Sequence, residues 1–107
     1  MSQDRRRNPR VPVDLPVRVW VGGQAVPGHL KDLCRDAALV EVQEPCELGT
    51  PVRIAWAGGD GEIEVAGRVI RLAHGEGEAP AMAVLFGDVA PAAATAIELM
   101  IDRGPGG

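Results

Sequence analysis

The amino-acid sequence predicts a mostly β fold, a six-stranded antiparallel β-barrel followed by one C-terminal α-helix. Three observations carry this expectation. Apolar and polar residues alternate with a period of two through much of the chain, which sets one face of an extended strand against a core. Glycine-containing turns separate these stretches, and none of them holds the helical crossover that a parallel sheet needs. Only after Pro91 does the apolar spacing become helical. A length of 107 residues suffices for one hydrophobic core. A hydrophobic fraction of 46% against 24% charged residues is the balance of a folding chain rather than a disordered one.

The first strand is the clearest. Val13, Leu15, Val17, Val19 and Val21 alternate with Asp14, Pro16, Arg18 and Trp20, and Gly22-Gly23 then turns the chain. Gln24 to Leu33 reads as the second strand, weakened at Pro27-Gly28, and Ala38 to Gln43 as the third. The connection between them, Asp32 to Ala37, is short enough to require a tight turn. Val52, Ile54 and Trp56 alternate in a fourth strand, and Gly58-Gly59-Asp60-Gly61 is a hairpin signal leading to the fifth, Glu62 to Leu72, where Gly67 suggests a bulge or bend. An acidic, glycine-rich loop from Ala73 to Pro80 precedes the sixth, Ala81 to Phe86. Pro91 suits a first helical position, and Ile97, Met100 and Ile101 fall on one face before Gly104 ends the helix. The expected organisation is a flexible arginine-rich arm (1–10), a barrel (11–103) with its helix over about 91–102, and a tail (104–107).

Composition narrows the function. One Phe, two Trp and no Tyr give few platforms on which the bases of single-stranded nucleic acid could stack. The net charge of −4 hides an asymmetry: residues 1–10 hold Arg5, Arg6, Arg7 and Arg10 against Asp4, while residues 11–107 hold 7 basic and 14 acidic groups. A +3 arm on a −7 body is unlike a DNA or RNA binder, whose folded surface is itself basic, and suits a small anion. With no run of 18 apolar residues and a polar start, the chain is expected to be cytoplasmic without membrane insertion. Cys34 and Cys46 fit reduced thiols, and His29, Cys34, Cys46 and His74 lack the close pairs of a metal site, so neither metal nor cofactor is expected. Nor is catalysis. Ser2 is the lone serine, the histidines have no nucleophile partner, and Glu62 and Glu64 on one strand face read as solvated charge.

Two segments do match a known pattern in order. Arg6-Arg7-Asn8-Pro9-Arg10 has the spacing R-R-x-x-R directly before the first strand, and Asp32-Leu33-Cys34-Arg35-Asp36-Ala37 stands in the place of D-x-S-x-x-G between the second and third. Together with Gly28, Leu48-Gly49, Gly67 to Arg71 and Ala83 to Phe86, they resemble the PilZ domain, the bacterial receptor module for cyclic di-GMP. The resemblance implies a PilZ-like barrel and a ligand site at Arg6, Arg7, Arg10, Asp32, Cys34 and Ala37. Arg6 and Arg10 would offer guanidinium forks, which bind a phosphate or the O6/N7 edge of guanine in bidentate fashion. Asp32 would accept from guanine N–H groups.

The second segment departs from the pattern. Cys34 replaces Ser with a poorer hydrogen-bonding group, Asp36 adds a negative charge beside a dianion, and Ala37 replaces Gly, which is costly where φ is positive. Three ligand interactions weakened or opposed, at about 1 to 2 kcal/mol apiece, would lower affinity on the order of a thousandfold. The resemblance thus implies a non-enzymatic receptor and adaptor for cyclic di-GMP, of reduced affinity, that signals to an unidentified protein partner. The alternative is a degenerate domain that does not bind cyclic di-GMP and acts purely as a protein-interaction adaptor.

Overall fold

A computed structural model of the chain describes residues 10–58, 61–74 and 76–103. Six strands, β1 (Val11–Val21), β2 (Gln24–Leu33), β3 (Ala37–Glu41), β4 (Pro51–Ala57), β5 (Glu62–His74) and β6 (Pro80–Phe86), are followed by helix α1 (Pro91–Arg103). All neighbours pair antiparallel, and the sheet closes in the order β1-β2-β3-β6-β5-β4. This is the expected six-stranded antiparallel barrel with a C-terminal helix. The arm as far as Pro9 and the tail from Gly104, with the expected mobility of the arm, lie outside the described residues.

Alternation decides which side chains fill the barrel. Val17 and Val19 of β1, Leu30 and Leu33 of β2, Val40 of β3, Val52, Ile54 and Trp56 of β4, Val65 and Val69 of β5, and Met82 and Val84 of β6 converge in one core. Pro91 opens α1, which buries Ala93 and Ile97 and lays Met100 and Ile101 against the same core. The helix runs one residue past the expected end at Asp102. Its buried face excludes water from aliphatic surface, worth about 25 cal/mol per Å².

β2 continues through Pro27-Gly28 without a break. β3 pairs with β2 only from His29 onward, so at Pro27 the second edge of β2 is unclaimed and a residue lacking an N–H is tolerated. β3 itself begins at Ala37 and ends at Glu41, and β5 extends to His74 before a short 3₁₀ turn, Glu76–Glu78, leads into β6. The expected irregularity of β5 lies elsewhere than at Gly67. The register shifts between Val69 and Arg71, whereas Gly67 pairs regularly with Phe86. Gly67 answers instead to a close approach, because a Cβ there would lie 2.3 Å from the carbonyl oxygen of Leu85.

Candidate functional site

The β2–β3 turn is closed by the amide of Cys34 donating to the carbonyl oxygen of Ala37 at 2.9 Å. A second hydrogen bond, from the Phe86 amide to the Asp36 carbonyl at 2.8 Å, ties it to the end of β6. Both hold backbone geometry independently of the side chains at 34 and 36. The register then aligns a row across the outer wall: Pro12 stands opposite Asp32, Asp32 opposite Leu39, Leu39 opposite Ala83, and Ala83 opposite Arg71. Cross-strand partners share a face of the sheet, so this row points away from the buried row of Leu33, Ala38, Val84 and Val69 beside it.

These residues form a cleft of about 190 Å³, lined by Arg10, Asp32, Cys34, Ala37, Leu39, Ile70, Arg71 and Ala83 among others. Four of the six residues singled out by sequence, Arg10, Asp32, Cys34 and Ala37, therefore meet in one place. Arg6 and Arg7 lie outside the described residues. The cleft has two cationic walls, since Arg10 and Arg71 are both exposed and neither is held by an ion pair among the described residues. Its floor is small and aliphatic, with Ala83 buried and Ile70 47% exposed, which leaves a flat apolar surface available to an aromatic ligand.

Arg71 lines the cleft although sequence reasoning did not single it out. Strict alternation from Ile63 through Val65 and Val69 would turn it inward. The extra residue at the 69–71 irregularity reverses that parity and aims Arg71 along the outer row. The available signal was an arginine at an inward-parity position directly after an apolar run, a burial that a lone guanidinium resists.

The three departures have unequal consequences. Glu78 is the one non-glycine residue with positive φ among those described, so Ala37 occupies ordinary strand backbone and its side chain costs nothing in backbone strain. What remains at Ala37 is a methyl group on the cleft wall. Cys34 is buried and its Sγ donates to Asp36 Oδ1 at 3.3 Å, so thiol and carboxylate are engaged with each other inside the turn. Burial pushes the Cys34 thiol above its ordinary pKa, and the Asp36 carboxylate adds to the rise. The group facing the cleft is thus a neutral thiol. From the same turn, Arg35 Nε reaches Glu98 Oε2 of α1 at 3.3 Å, linking the motif to the helix across the surface.

No group of three or more His, Cys, Asp and Glu able to hold a metal ion occurs among the described residues, and no helix there is long and apolar enough to cross a membrane.

Comparison with known structures places this fold among solved relatives. The Bacillus subtilis inhibitor of motility MotI/DgrA superposes with a TM-score of 0.79 at 16% identity, over 94% of this chain and 52% of that one, so the chain spans about half the length of that protein. The PilZ domain of YcgR from Escherichia coli, solved with cyclic di-GMP, matches with a TM-score of 0.72 at 18% identity, covering 94% and 91% of the two chains. The PilZ domain of CeSA from a cellulose-synthesizing bacterium matches at 25% identity with a TM-score of 0.67, covering 89% and 97%. No curated protein sequence gives a significant match. The family match itself, to the PilZ domain, runs over residues 4–103 and takes in both the arginine segment and the β2–β3 turn, and on that match the chain belongs to the PilZ domain family.

Proposed function

We propose that this chain is a non-enzymatic receptor domain for cyclic di-GMP, of lower affinity than a domain with the full D-x-S-x-x-G turn, which passes the signal on through protein–protein contact. The observation that carries the reading is the convergence of Arg10, Asp32, Cys34 and Ala37 on one cleft with Arg71 on its opposite wall. Guanidinium groups offer bidentate donors to phosphate or to the O6/N7 edge of guanine, and the Asp32 carboxylate accepts from the Watson–Crick N–H groups of that base. Arg6 and Arg7, which precede Arg10 in the same short segment, would bring two more cations to the same dianion. That YcgR, a structural relative, was solved with cyclic di-GMP supports the choice of ligand.

The adaptor reading draws on one observation, the Cys34–Asp36 hydrogen bond, which spends on the turn itself a side chain that a ligand would otherwise meet. Calorimetric titration with cyclic di-GMP separates the two. The receptor reading expects a saturable heat from the native chain and a tighter one from Cys34→Ser/Asp36→Gly. A folded double variant that gives no heat at millimolar ligand would leave the adaptor reading in possession.

A further inference from the structure

We infer that two copies of this chain associate through α1, with the helices antiparallel about a twofold axis that passes beside Thr95 and Ala96. This contact is separate from the cleft and does not depend on nucleotide binding. α1 buries Ala93 and Ile97 in the core and leaves one flank apolar and open. Ala92, Ala96 and Leu99 recur on that flank at the four- and three-residue spacings of a single helix face, and Leu99 is 53% exposed. Between the flank and the start of β5 runs a groove of about 660 Å³, lined by these residues and Thr95 on the helix side and by Ile63, between Glu62 and Glu64, on the sheet side.

The face fits its own copy in shape and in charge. A twofold axis across the helix at Thr95 and Ala96 sets Leu99 of one copy over Ala92 of the other, so the large side chain of each face meets a small one, and the crossing itself holds only small residues. The same axis brings Arg103, on this flank one turn beyond Leu99, opposite Asp88 of the second copy, just ahead of α1. Both are exposed, neither has an ion pair among the described residues, and symmetry makes the pairing twice. Asp102 projects about 100° around the helix from Arg103, off this flank. Antiparallel packing brings it to the end of the second helix that favours a carboxylate, since that first turn holds no acidic residue of its own. The other charges at the groove are already matched. Glu62 is bound to Arg18, Arg53 Nε reaches Glu64 Oε2 at 3.1 Å, and Glu98, on another side of α1, is held by Arg35. Asp60, in the turn between β4 and β5, lies outside the described residues.

The test is sedimentation velocity on the full 107-residue chain without nucleotide. A 13-residue helix is about 20 Å long, so the contact is small and of the transient class, and should show as a reversible monomer–dimer equilibrium that shifts with chain concentration. Leu99→Asp, at an exposed position, should leave the amide spectrum folded and abolish the dimer. Arg103→Asp and Asp88→Arg should each weaken association about tenfold at low salt, because each sets like charges together twice. An equimolar mixture of these two variants should regain association of native strength, since every altered charge then meets its opposite. A native chain that stays monomeric at millimolar concentration would overturn the inference. So would a dimer indifferent to Leu99→Asp, or charge variants that the mixture fails to rescue.

Discussion

The two ends of this barrel are built from the same six strands and present opposite chemistry. At the β2–β3 end, Arg10 and Arg71 flank a small apolar floor that belongs to the outer face of the wall. At the β1–β2 end, the inner-face residues Val19, Val42 and Met82 line a cavity whose one charged lining residue is Glu44. A closed barrel pairs its strands all round and leaves little free edge, so recognition falls to which row of side chains faces out and to what the loops add. One residue of register is enough to change the outcome, as the 69–71 irregularity does for Arg71.

If the wall is a shared scaffold for both ends, its disruption should be the largest effect. Gly67→Val places side-chain atoms where a Cβ already lies 2.3 Å from the Leu85 carbonyl, against backbone that cannot swing aside. A loss of about 3 kcal/mol or more in urea unfolding is expected, with both ends failing together. Unchanged stability would mean that β5 and β6 separate there at little cost.

Next in size are changes confined to the cleft. Arg10→Ala in the Cys34→Ser/Asp36→Gly background should cost about 1.5 to 3 kcal/mol of cyclic di-GMP binding by calorimetry, the worth of a charge-assisted hydrogen bond, while the amide signals of Val19 to Val26 at the far mouth are unaffected. Arg71→Ala should behave in the same direction. An effect of Arg10→Ala at both ends would erase the distinction between them. Adding Ala37→Gly to the double variant should change affinity much less than the Cys34 and Asp36 replacements do, because no backbone strain is there to relieve.

Smaller effects sharpen the account of the turn. The Cys34 thiol has a folded pKa above its unfolded one, so the stability it contributes is complete below the ordinary thiol range. Above that range the unfolded chain releases the proton first and the folded state loses stability. Native protein should therefore weaken from neutral to strongly alkaline pH more steeply than Cys34→Ala, measured by urea unfolding at each pH. A parallel decline in both would remove Cys34 from the explanation. The exposed Arg35–Glu98 pair is the slightest: Glu98→Gln should cost at most about 0.5 kcal/mol.

Much of this architecture can be read from period-two patterns, because inward residues such as Val17, Val19, Val52 and Ile54 must alternate to share one core. The helix is equally readable from Pro91, Ile97 and Ile101. Closure is not, since pairing β1 with β4 and β3 with β6 depends on contacts between segments distant in sequence. At the site, Asp32, Cys34 and Ala37 were accessible through a local motif closed by one short turn. Arg71 was hidden by a register shift, and the far-mouth cavity by the loop after β3, whose residues Gln43 to Cys46 carry no periodic signal.

The most direct test of the central reading is an amide NMR titration of the native chain with cyclic di-GMP, which reports both whether the ligand binds and at which end. The account predicts saturable shifts concentrated at Asp32 to Ala37, at Ala83 and at Arg71, with Val19 to Val26 and Gln43 to Cys46 quiet. Shifts centred on the far mouth, or a spectrum unmoved at millimolar ligand, would contradict it.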